Sequence, residues 1–185
     1  MLKKFVTAAV MGIAAHSSAY ASLVGDTVTS EYIFPTVGSV FGSRSDLVGA
    51  GVEVNCPADA GVFCSAFARP ATIDIGGFSI RLNEAAGSAY SGASFNGIRW
   101  SSLDFGAGLG IVGFALTTDL VGLSLANVSF TTDSIQFNAQ GLDFSQAPYF
   151  VQLDLQVGAI PEPASLALAG LGLSLLGFAR RRRVR

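Results

Sequence analysis

Twelve carboxylates, four arginines and two cysteines are what residues 22–160 offer for chemistry beyond hydroxyls and amides. The single histidine, His16, and both lysines, Lys3 and Lys4, precede residue 22. Nucleophilic catalysis through a Ser–His or Cys–His pair needs an imidazole, and Schiff-base chemistry needs a lysine. That stretch can supply neither, and it has no histidine to ligate a metal. Two oxygen chemistries remain: a pair of carboxylates flanking a glycosidic bond, and calcium held by carboxylates and carbonyls. Asp59, Asp104, Asp119, Asp133 and Asp143 fall in turn-like segments, where aspartate is favoured because it bonds its own backbone. The chain lacks the Asp-x-Asp-x-Asp-Gly spacing of a calcium loop. No catalytic residue, metal ligand set or cofactor is expected, and the chain is read as a non-enzyme.

Cys56 and Cys64 enclose Pro57-Ala58-Asp59-Ala60-Gly61-Val62-Phe63. A metal site would need two more ligands, and a redox pair would sit closer together in an electropositive setting. In a chain that bears an export signal, the pair reads as a structural disulfide. Arg99-Trp100 carries the only tryptophan. It has two readings: an indole buried between sheets, which removes a large apolar area from water, or an exposed platform that stacks on sugar rings. The glycine-rich run Phe105-Gly106-Ala107-Gly108-Leu109-Gly110-Ile111-Val112-Gly113 could suggest a phosphate loop, but that chemistry requires a helix after it. β-like segments flank it on both sides, so it reads as a loop or hairpin turn.

The elements that must position these residues follow a period of two. Val151-Gln152-Leu153-Asp154-Leu155-Gln156-Val157 alternates without error, as do Phe78 to Asn83 and Ser134 to Asn138. Ala71 to Ile75 and Ala126 to Phe130 alternate more loosely. Such alternation specifies strands with one buried face. Gly76-Gly77 predicts a two-residue hairpin between Ile75 and Phe78. Apolar segments at Asp26–Phe34, Leu47–Val54, Phe95–Trp100 and Gly110–Leu116 raise the total to roughly nine or ten strands, with no amphipathic helix between them. The expected fold is all-β: an antiparallel β-sandwich, jelly-roll-like, over residues 22–159. Tyr32, Tyr90 and Tyr149 show no periodic grouping.

Charge is segregated along the chain. Four arginines against twelve acids leave residues 22–160 at a net −8, although the whole chain stands at −2. An acidic body disfavours nucleic acid and anionic lipid, which need neutralising cations. Met1-Leu2-Lys3-Lys4 is a basic leader followed by an apolar stretch, Phe5 to Ala15, and Ala19-Tyr20-Ala21 supplies the small-x-small pattern of a signal-peptide cleavage site. Residues 1–21 are therefore expected to direct Sec export and to leave Ser22 as the mature N-terminus.

At the other end, Pro161-Glu162-Pro163 leads into Ala164–Ala179, sixteen residues without a charge, and then Arg180, Arg181, Arg182, Arg183 and Arg185. As a helix that run rises roughly 24 Å, short of the roughly 30 Å hydrocarbon core. The arginines can snorkel to the headgroups and make up part of the deficit. Clustered arginine stays on the cytoplasmic side, so the body is expected across the membrane. Both prolines break helical structure just outside the span.

Triplet, short apolar helix and arginine cluster, in that order at residues 160–185, resemble the PEP-CTERM sorting signal of Gram-negative bacteria that make extracellular polysaccharide. The resemblance implies processing near Pro161-Glu162-Pro163 by an exosortase, a membrane-embedded cysteine transpeptidase. It further implies transient inner-membrane anchorage with the body in the periplasm, then passage to the cell surface or matrix, in association with exopolysaccharide or biofilm. An alternative role for the body is a carbohydrate-binding module, with or without calcium, for the cell's own exopolysaccharide.

Overall fold

The computed structural model describes residues 22–67 and 69–160. The expected signal peptide with Ala19 and Ala21, the Pro161-Glu162-Pro163 triplet, the apolar span 164–179 and Arg180–Arg183 lie outside the described residues. Ten strands form: β1 (Thr27–Ile33), β2 (Val40–Leu47), β3 (Val52–Cys56), β4 (Ala71–Ile75), β5 (Ser79–Glu84), β6 (Gly97–Ser101), β7 (Leu109–Thr118), β8 (Val128–Phe130), β9 (Ile135–Asn138) and β10 (Tyr149–Ala159). A single turn of helix, α1 (Val62–Ser65), and a 3-10 turn at Leu125–Asn127 complete the regular structure.

The strands make two antiparallel five-stranded sheets, ordered β2-β1-β6-β9-β8 and β3-β4-β5-β10-β7. Alternation decides which face each presents. Tyr149, Val151, Leu153 and Leu155 of β10 are buried, while Phe150, Gln152 and Asp154 between them are half-buried. Across the register, Val151 meets Leu82 and Leu153 meets Ile80. Val28, Ile98, Trp100, Ile135 and Phe137 from the first sheet join Ile73, Ile75, Ile80 and Leu82 from the second in one core. The architecture is thus β-sandwich-like.

Several expectations are corrected. The connectivity is not that of a jelly roll, because β1–β2, β3–β4, β4–β5 and β8–β9 are hairpin neighbours within one sheet. Leu47–Val54 is not one strand: it holds the end of β2, a turn with Gly51 at positive φ, and the start of β3. β2 escaped the pattern because Val40, Phe41 and Leu47, its large apolar residues, are exposed on a sheet edge. The Gly76-Gly77 hairpin forms, but β5 begins at Ser79, so the connection is Gly76–Phe78, closed by a bond from the Gly76 N–H to the Ser79 carbonyl. Neighbours dock on the turn: Leu23 N–H donates to the Gly77 carbonyl and Leu155 N–H to that of Phe78. In the glycine-rich run the turn is confined to Gly106–Gly108, and β7 begins at Leu109.

Cys56 and Cys64 are joined by a disulfide with Cα atoms 5.2 Å apart and a sequence separation of eight. It ties the end of β3 to α1, whose Phe63 packs into the core. Closing so short a loop restricts the unfolded chain by about 2.5 kcal/mol in the chain-entropy account. Replacing both cysteines by serine is expected to lower stability by that amount. A urea midpoint equal to that of the wild type would show that the link does not stabilise the fold.

Candidate functional site

The sequence placed Tyr32, Tyr90 and Tyr149 apart; the fold gathers them around one carboxylate. Ala71, Glu84 and Tyr149 sit opposite one another across β4, β5 and β10, all on the inward face. Glu84 is only 4% exposed. Its Oε2 accepts from Tyr149 Oη at 2.5 Å and from Tyr90 Oη at 3.1 Å. The two phenol oxygens are themselves 2.5 Å apart. Tyr90 arrives from a loop fixed by backbone bonds to Gly141 and Leu142. Tyr32, on β1, directs its hydroxyl to Asn96 Oδ1 at 2.8 Å. Asn96 Nδ2 donates to the carbonyl and hydroxyl of Ser91.

Burial sets the protonation of this cluster. Desolvation raises the Glu84 pKa, against the bonds from Tyr149 and Tyr90, which favour the carboxylate. The three tyrosines are also pushed upward, chiefly by desolvation and then by neighbouring charge, so they stay protonated donors. Glu84, Tyr90 and Tyr149 are all buried, and Glu84 and Tyr149 also stand in the wall of a cleft. The cluster braces one end of the sandwich.

Two of the clefts at that end reach the cluster. One, of 360 Å³, has Thr72, Asn83, Glu84, Asp119, Tyr149 and Phe150 among its walls. Next to it lies the outward face of the second sheet, where the Arg81 guanidinium sits 4.1 Å from the Phe150 ring centre and donates to Asn83 and Gln152. The other cleft, of 190 Å³, is lined by Tyr32, Phe34, Phe41, Ser65, Ala66, Ser91 and Asn96. Its wall Ser65–Ala66 directly follows Cys64 of the disulfide. Phe41 stands edge-on to Tyr32, ring centres 6.3 Å apart.

The opposite end is where the C-terminal segment leaves. Ile160 N–H donates to the Gly108 carbonyl, and Ile160 shares a cleft with Asp26, Asp104 and Asp133. Ser22 and Leu23 also lie there, Leu23 bonded to Gly77. β10 has eleven residues, so its Tyr149 end and its Ala159 end stand roughly 35 Å apart. The aromatic clefts therefore sit at the end remote from both termini of the described body.

Other sequence candidates resolve into structural roles. Trp100 is 1% exposed and packs on Phe137, so the platform reading gives way to the core reading. Asp59 accepts from Arg44 and the Asn55 N–H. Asp104, Asp119 and Asp143 accept from the backbone N–H of Gly106, Phe150 and Ser145, and Asp133 from the Thr131 hydroxyl. Among the described residues no three of His, Cys, Asp or Glu cluster as metal ligands, although Asp104 and Asp133 line one cleft with Asp26. None of the described residues forms a helix long and apolar enough to cross a membrane. The tyrosine cluster had no signal in the sequence, since its members lie 59 and 65 positions from their partners.

Fold and termini define a class: a two-sheet β body with an acidic balance, whose last strand runs straight into a C-terminal extension. That extension is identified by comparison. The family described as PEP-CTERM protein-sorting motif matches residues 159–183, so the chain carries that motif. It marks an exported protein with a C-terminal membrane-anchoring sorting signal, processed by exosortase, a membrane transpeptidase. No curated protein and no solved structure matches the chain.

Proposed function

We propose that this protein is a non-enzymatic component of the cell surface or extracellular matrix. Residues 1–21 would direct export through the Sec machinery and be removed after Ala21, and the body would be held at the inner membrane by residues 164–179, facing the periplasm. Exosortase processing near Pro161-Glu162-Pro163 would then release or transfer it to the exopolysaccharide layer. The observation that carries this reading is the sorting motif at residues 159–183, which begins in the last residue of β10. The body's lack of histidine and lysine supports a binding or structural role over a hydrolytic one. Truncation after Ile160 is expected to abolish C-terminal processing and to move the protein from the surface or matrix fraction to a soluble one. Unchanged fractionation, with unchanged processing, would defeat the proposal.

A second reading, a carbohydrate-binding module for the cell's own exopolysaccharide, is favoured by one observation. The two clefts with aromatic walls lie at the end remote from Ile160, where an anchored body would present them away from the membrane.

A further inference from the structure

We infer that the 190 Å³ cleft between β1, β2 and the loop before β6 is a subsite for one pyranose ring of an uncharged glycan. The inference rests on the second reading above, that the body holds glycan, and gives that reading a place and a chemistry. The volume equals that of about six waters in the liquid, enough for a single six-membered sugar ring. Phe41 is 50% exposed at the mouth of the cleft. Its ring meets Tyr32 edge-on and leaves aromatic surface open, the arrangement that receives the C–H face of a sugar.

The polar groups in the cleft are matched to hydroxyls. Ser65 Oγ donates to the Val62 carbonyl and keeps lone pairs to accept with. Ser91 Oγ accepts from Asn96 Nδ2 and keeps its proton to donate. Tyr32 Oη donates to Asn96 Oδ1 and keeps its acceptor capacity. One donor and two acceptors therefore remain, and a sugar hydroxyl can engage either kind. Both ends of the Asn96 amide are already occupied, so Tyr32 and Ser91 are oriented before any ligand arrives. No charged side chain lines the cleft. The body's net −8 opposes a polyanion, which makes the preferred ligand neutral.

The test is affinity electrophoresis of the full chain in mild detergent. The gels carry exopolysaccharide purified from the producing cells, a neutral glucan, or a polyuronate. The exopolysaccharide is expected to retard the wild type, the neutral glucan is expected to do so more than the polyuronate, and Phe41→Ala should weaken retention roughly tenfold. Phe41 is half in solvent, so this variant should keep the wild-type urea midpoint. Phe78→Ala removes a comparably exposed ring near the other end, stacked on Phe105, and should keep full retention. Retention of the wild type with Phe41→Ala equally retained would overturn the subsite while leaving the glycan reading standing. Stronger retention on the polyuronate would overturn the neutral preference. Absence of retardation on all three would remove the glycan reading and the subsite together.

Discussion

Replacing Trp100 by alanine is expected to cost about 4 kcal/mol of folding stability, near the middle of the range for deleting a buried aromatic side chain. The indole is fully enclosed, opposite Ser30 on β1 and Ile135 on β9, at the centre of the first sheet. Its removal leaves a void that the neighbouring strands, each held by ladders on both sides, cannot collapse to fill. Trp100→Phe should lose well under half as much. That change keeps an aromatic ring and also deletes an Nε1–H that is buried without a protein acceptor. The measurement is urea unfolding: the midpoint should fall while the slope is unchanged, because the surface exposed on unfolding is nearly the same. A loss below about 1 kcal/mol for Trp100→Ala would mean that the ring is not in the core, and would return it to the role of a surface platform.

The same residue shows how far a sequence carries such an argument. One tryptophan beside an arginine is compatible with a core or a platform, and only its strand partners decide. The elements with strict alternation were legible: Val151–Val157 lies within β10 and Ser134–Asn138 covers β9, because a half-buried strand imprints its period directly on residue type. β2 was not, since an edge strand with exposed Val40, Phe41 and Leu47 has no apolar stripe to read. Sheet order was illegible too: β10 lies between β5 and β7, pairings that come from closing long loops and not from local pattern. The C-terminal motif was the opposite case. Its meaning is carried by contiguous residues, Pro161 to Arg183, so it needed no tertiary information. The aromatic cleft needed all of it, because Tyr32, Phe41, Ser65 and Asn96 come from four separate segments.

Glu84 gives the second large effect, and one with a sign that depends on pH. Glu84→Ala is expected to destabilise by about 3 kcal/mol, because it leaves the Tyr149 hydroxyl without its carboxylate acceptor in a buried setting and opens a small cavity. Glu84→Gln keeps an acceptor oxygen in place and removes the ionisable proton. The folded-state pKa of Glu84 is raised, primarily by desolvation, with the Tyr149 and Tyr90 bonds opposing. A raised carboxyl binds its proton more tightly in the folded chain than in the unfolded one. Its contribution is therefore fully present below the ordinary glutamate value, about 4.3, and is lost as pH rises through the higher folded value. Tyr90 and Tyr149 do not reverse this, since both are held protonated by burial and by the charge near them. Urea midpoints of wild type and Glu84→Gln, taken between pH 4 and pH 7, should thus draw apart in favour of the glutamine variant as pH rises. A difference that stays constant across that window would show that Glu84 is not desolvated in the folded chain.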